Sequence, residues 1–144
     1  MKYYPLLLNL QAKKVVVVGG GQVAARKVET LLQAGSAIVV ISPKVCPQLE
    51  QIIDANSSAI TLHRRVYQPG DLSSASLLFA ATDNRQLNNQ IYREVQKEGI
   101  LANIADQPSE CDFIVPSIIN RGDLTLAISA GGKSPSLCKQ LRLE

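Results

Sequence analysis

Residues 13–18, Lys-Lys-Val-Val-Val-Val, form a β-branched run without polar interruption, closed by Gly19-Gly20-Gly21. A strand with one wet face would alternate, so this run predicts a strand buried on both faces. From Gln22 the apolar spacing lengthens: Ala24, Val28, Leu31 and Leu32 fall on one face of a helix that Gly35 ends. Residues 37–41 read as a second apolar strand ending at Ser42-Pro43, after which Val45, Leu49, Ile52 and Ile53 recur at helical spacing. Residues 59–62 and 77–81 are the expected third and fourth strands. Leu87, Ile91 and Val95 mark another helix, and residues 100–104 a fifth strand.

Strands alternating with helices of this length imply parallel pairing through right-handed crossovers, so the expected fold class is α/β, a Rossmann-type doubly wound parallel sheet. After Asp106 the pattern changes. Residues 111–119 and 124–129 look like two strands joined across Asn120-Arg121-Gly122-Asp123, and Ser134-Pro135 begins a helix carrying Leu137 and Leu141. The expected organisation is a nucleotide-binding domain over residues 1–107 and a small strand-helix segment over residues 108–144. The last helix has only about two turns, which raises the expectation that a helical C-terminal region is cut short.

Of the 144 residues, 46% are hydrophobic and 19% charged, which argues against disorder. Aromatics make up 4% with no Trp, so the core must be packed from aliphatic side chains and platforms for nucleobase stacking are scarce. The net charge of +3 comes from dispersed Lys and Arg, so no phosphate-tracking stripe is evident and nucleic acid is not an expected partner. Cys46, Cys111 and Cys138 lack the spacing of zinc or redox motifs. They read as reduced thiols of a cytoplasmic protein, with no metal site. No signal peptide or membrane-spanning stretch is read from the sequence.

The candidate chemistry sits where the strands end. Gly19-Gly20-Gly21-Gln22-Val23-Ala24 fits the dinucleotide fingerprint G-x-G-x-x-G/A, placed between a buried strand and a helix. Gly19 would allow the tight turn, Gly21 the close approach of a pyrophosphate, and Ala24 the close packing of the helix. At the end of the second strand an acidic residue usually holds the ribose of NAD, but here Ser42-Pro43-Lys44 stands in its place. Ser42 can hydrogen-bond a ribose and Lys44 can accept a 2′-phosphate, so these residues leave NAD against NADP open. Thr82 is placed to face the cofactor, and Asp83 reads as the N-cap of the next helix. Asp106, just past the fifth strand, is a candidate general base, with a turn-forming role as the alternative and Asp112 as a competitor. The lone His63 reads as structural.

Together, Tyr4-Pro5-Leu6-Leu7-Leu8, residues 18–27, Ala80-Ala81-Thr82-Asp83, Asn103-Ile104-Ala105-Asp106, residues 111–117 and residues 129–135 resemble the precorrin-2 dehydrogenases, also found as the N-terminal module of sirohaem synthases. The resemblance implies oxidation of precorrin-2 to sirohydrochlorin with NAD as hydride acceptor, and in some members iron insertion as well. It implies a homodimer interlocked through the segment after the Rossmann domain. It assigns the base to Asp106 and cofactor contacts to Gln22, Val23, Pro43 and Lys44. Arg85, Arg121 and Lys133 are candidates for gripping the carboxylates of such a substrate. The alternatives are a non-catalytic NAD-sensing module, which would not need Asp106, and an NADP-dependent reductase of another small molecule.

Overall fold

A computed structural model describes residues 1–143. Its elements are β1 (Lys14–Val18), α1 (Gln22–Gln33), β2 (Ala37–Ile41), α2 (Pro47–Ala55), β3 (Ile60–His63), β4 (Leu77–Ala80), α3 (Arg85–Glu98) and β5 (Leu101–Ile104), followed by a 3-10 turn (Pro108–Glu110), β6 (Ser117–Arg121), β7 (Leu124–Ile128) and α4 (Pro135–Leu143). Two compact units result, one of Leu7–Asp112 and one of Met1–Leu6 with the chain from Phe113 onward.

The larger unit is the expected doubly wound sheet. Its five strands run in the order β3-β2-β1-β4-β5, all parallel. The valine run forms the central strand: Val15, Val16, Val17 and Val18 are each 2% exposed or less. One face packs Val16, Val18, Leu78, Ala80, Ala102 and Ile104 with Ile91 and Val95 of α3. Each of the valine, leucine and isoleucine side chains among them, taken from water, contributes roughly 1.5–3 kcal/mol. In α1 the buried residues are Ala24, Ala25, Val28 and Leu31, so a stripe that begins with two alanines lets the helix start close to the sheet. Because β2 and β3 lie on one side of β1 and β4 and β5 on the other, the strand order reverses beside β1. Ligands of open α/β sheets bind at the carboxyl ends of the strands at such a reversal.

Several expected details shift. Helix α2 starts at Pro47, leaving Val45 outside it, because the residue before a proline is driven out of helical geometry and Cys46 is extended at φ −69, ψ 158. The N-cap of α3 is Asn84, not Asp83: the Asn84 side chain accepts the Leu87 N–H at 3.0 Å. Strand β6 begins at Ser117, not at Cys111. Residues 111 and 112 are engaged elsewhere, since the Asp112 N–H donates to the Ala102 carbonyl (2.8 Å) and its carboxylate accepts the Ala102 N–H (2.9 Å). At Ala102 the outer edge of β5 is thereby closed by Asp112, which blunts a free strand edge.

The loop between β3 and β4 is held by charge. Arg65 makes two hydrogen bonds to the Asp71 carboxylate (2.8 and 2.9 Å), which also accepts the Gln68 N–H at 2.7 Å. Buried Tyr67 and Leu72 from the same loop join the α3 face of the core. The Tyr67 hydroxyl donates to Glu94, which also takes the Gly70 N–H at 3.0 Å. Burial above all, then this bond to Glu94, pushes the Tyr67 phenol far up.

In the smaller unit β6 and β7 pair antiparallel, with Arg121 opposite Leu124 across a two-residue turn, and α4 packs on both strands. Among its described residues only Cys138 is buried, while Leu124, Leu126, Leu137 and Leu141 are 44–57% exposed. Among the described residues no helix is long and apolar enough to cross a membrane.

The Arg65 hydrogen bonds hold the Asp71 carboxyl below its ordinary range. A carboxyl lowered in this way adds stability that is present above its unfolded pKa of about 4 and is lost as pH falls through the folded value. Urea denaturation from pH 7 to pH 3 should therefore show wild type losing more stability than Asp71→Asn. Parallel pH profiles for the two proteins would refute this account of the loop.

Candidate cofactor site

The site is built around the turn from β1 to α1. Gly19 has φ +129, a backbone conformation open to glycine, and a Cβ there would lie 2.4 Å from the Ala81 carbonyl oxygen. Gly20 is tighter still: an added Cβ would lie 1.9 Å from the Lys44 carbonyl oxygen and 2.7 Å from the Ser42 hydroxyl. Gly20 also accepts the Cys46 N–H at 2.7 Å, and the Ser42 hydroxyl donates to the Lys44 carbonyl at 2.6 Å. Thus the glycine turn and the β2–α2 loop lock onto each other.

Gly21 differs. It is the N-cap of α1 with φ −90, ψ −165, geometry open to any residue, and an added Cβ would meet nothing within 4 Å. The fold therefore has no need of glycine here, and the empty space lies directly before a helix N-terminus. That terminus has neither a side-chain cap nor an acidic residue in its first turn, so its leading N–H groups and the positive end of the helix dipole are left for an anion. Gln22 and Val23 are exposed beside it and Ala24 is buried against the sheet. The residues present thus fit a dinucleotide pyrophosphate.

The remaining candidates are distributed around the same sheet edge. Ser42 is buried, with its one proton committed to Lys44, whereas Pro43 and Lys44 are exposed. Thr82 follows β4, and its hydroxyl bonds the Asn88 side chain at 2.6 Å while accepting the Asn84 N–H at 3.2 Å. Asn88 returns the contact by donating to the Thr82 carbonyl at 3.1 Å. The two residues together fix the loop that enters α3. Asp106 is exposed just beyond β5 with φ +60, at the third position of a turn that the Gln107 N–H closes onto the Ile104 carbonyl (3.3 Å). Aspartate is among the few side chains that tolerate this left-handed geometry. Its competitor Asp112 is spent on the backbone of Ala102, partway along the strand rather than at its carboxyl end.

Arg85 opens α3 and lines a shallow groove of about 360 Å³ with Asn89, Tyr92, Arg93 and Glu110. Arg121 and Lys133 belong to the smaller unit. His63 ends the edge strand β3 and is exposed. Among the described residues no three His, Cys, Asp or Glu side chains group where they could hold a metal ion, and all three cysteines are free.

Sequence reasoning overlooked Gly20, Asn88 and Cys111. The first had a signal in the unbroken run of three glycines. The second had none, because a polar residue between Leu87 and Ile91 reads as surface. Cys111 was counted for metal and redox spacing, and its hydrogen bonds depend on a turn that periodicity does not describe.

A family model described as "Putative NAD(P)-binding" matches residues 6–117, most of the chain. The chain belongs to this NAD(P)-binding family. Over 142 residues this NAD(P)-binding chain is 43% identical to a siroheme synthase of Nitrosococcus oceani and 42% identical to that of Baumannia cicadellinicola. In both comparisons 99% of this chain is covered, and it spans 30% of the length of the relative. Among solved structures it resembles "SirC, precorrin-2 dehydrogenase" with a TM-score of 0.85 and 29% identity, over 98% of this chain and 68% of that one.

Gly20 and Gly21 separate folding from binding. Gly20→Ala should destabilise the NAD(P)-binding unit by about 1–3 kcal/mol, since backbone must move to admit the methyl group. Gly21→Asp should leave the melting temperature unchanged or slightly higher, because aspartate is a good N-cap. It should nevertheless weaken dinucleotide binding at least about 100-fold, through lost N–H contacts and repulsion of the pyrophosphate. Calorimetry that finds undiminished affinity in Gly21→Asp would remove the glycine turn as the cofactor site.

Proposed function

We propose that the protein is an NAD-dependent dehydrogenase that oxidises precorrin-2 to sirohydrochlorin in siroheme synthesis. The observation that carries this reading is the likeness to a precorrin-2 dehydrogenase over 98% of the chain. The siroheme synthase relatives support the same pathway.

In this reading the glycine turn, with Gly19, Gly21, Gln22, Val23 and Ala24, holds the pyrophosphate against the start of α1. Ser42, Pro43 and Lys44 border the adenosine ribose, and Thr82 shapes the nicotinamide side from the end of β4. NAD, when bound, supplies the hydride acceptor. Loss of a hydride leaves the macrocycle with a positive charge that is relieved by losing a proton, so a base must stand beside the ring. Asp106 takes that role. Its exposed carboxylate lies past the carboxyl end of β5, on the sheet edge that also carries the glycine turn. Asp112 does not, because its carboxylate already serves the Ala102 amide. Arg85, at the start of α3, provides a cation for the substrate's carboxylates.

The larger unit, Leu7–Asp112, is the cofactor-binding part, and the smaller unit is the dimerisation segment of a homodimer that works in the cytoplasm. A two-stranded sheet with one short helix does not bury its own apolar side chains. The exposed leucines of β7 and α4 are the surface a second copy would cover.

Adding precorrin-2 and NAD to the protein should yield the absorbance of sirohydrochlorin. Asp106→Asn keeps size and polarity but cannot accept the proton, so turnover should drop by about 10²–10⁴ with NAD affinity little changed. Full turnover in that variant would return Asp106 to the role of a turn residue. Cofactor binding without turnover in the wild type would favour a sensing module. Light scattering at micromolar concentration should give a mass near twice the 15.6 kDa of the chain, and a monomer would refute the dimer.

A further inference from the structure

The turn that presents Asp106 has little to hold it by its own conformation. Asp106 is at φ +60, and the backbone bond closing the turn, from the Gln107 N–H to the Ile104 carbonyl, is long at 3.3 Å; the Ala105 N–H ties the start of the turn to the Ala80 carbonyl at 2.8 Å, which leaves its far end to other contacts. β5 is an edge strand, so the N–H and carbonyl groups on its outer side have no neighbouring strand. At Ala102 these groups are taken by Asp112. At Ile104, the last residue before the turn, they are taken by one side chain. The Cys111 sulfur accepts the Ile104 N–H at 3.3 Å, and its S–H proton is shared between the Ile104 and Gln107 carbonyls, each at 3.2 Å.

From this we infer that Cys111 is a positioning residue for Asp106: its thiol bridges the two ends of the 104–107 turn and fixes where the carboxylate stands. The inference rests on the reading of Asp106 as the base and extends it. The bridge needs a neutral thiol, since only S–H can donate to two carbonyls. Burial, which pushes the thiol's pKa up, keeps it in that form; Asp112 and Glu110 reinforce the shift, and the Ile104 amide and Lys27 oppose it. The chemistry required is donor and acceptor capacity at one atom, which serine shares and alanine lacks.

Catalytic geometry is sensitive to small shifts, and misplacement by about 1 Å can cost up to about 100-fold in rate. Cys111→Ala should therefore lower kcat about 10- to 100-fold while the Kd for NAD, set at the glycine turn, stays within about 2-fold. Cys111→Ser should restore kcat to within about 3-fold of wild type, because the bridge is remade. Hydrogen exchange supplies a second readout, with the Ile104 amide losing protection in the alanine variant and regaining it in the serine one. In the Asp106→Asn background, Cys111→Ala should cause little further loss, because a residue that acts through Asp106 has nothing left to position. Multiplicative losses in the double variant, or no rescue by serine, would overturn the inference. So would full activity of Cys111→Ala beside an inactive Asp106→Asn, an outcome that leaves the general base itself standing. Full activity of Asp106→Asn instead removes the base, and the inference with it.

Discussion

Everything in the larger unit depends on β1 being buried on both faces and paired on both edges. Four consecutive valines have no polar face to offer water, so helices must cover both sides of the sheet. Parallel strands reached through right-handed crossovers achieve this when successive strands first build outward on one side of β1 and then begin again on the other. That reversal places the carboxyl end of β1 between two diverging loops. The candidate cofactor site is a consequence of how the core is covered.

The constraint reaches the chemistry through backbone contacts rather than side chains. The turn after β1 is fitted against Ala81 on one side and Lys44 on the other, so it is held by the loops following both neighbouring strands. Glycine at 19 and 20 satisfies packing, whereas glycine at 21 faces open space at a helix start. Adjacent and chemically identical residues thus do different work: two shape the turn, and the third leaves room for a pyrophosphate.

At the β5 side of the sheet the problem is an open edge. β5 exposes backbone groups that a sixth strand would otherwise pair, and the chain answers with the side chains of Asp112 and Cys111. This local solution separates two carboxylates that look alike on paper. Asp112 is consumed by the edge, and Asp106 is carried out past it on a left-handed turn.

From the sequence alone, the order of strands and helices, the doubly wound class and the glycine turn were legible, because periodicity and chain punctuation reflect burial directly. The ends of elements were less so. Pro47 and Asn84 shifted the starts of α2 and α3 by local backbone chemistry that competes with the apolar pattern. What only the tertiary structure decided was which polar residue answers which backbone group. That Gly20 meets Lys44, that Asn88 meets Thr82, and that Cys111 and Asp112 close β5 are contacts between segments brought together by folding. Hydrophobic pattern is a property of one segment and can be read along the chain. Hydrogen-bond satisfaction at an edge or a turn is a property of two, and it exists only once both are in place.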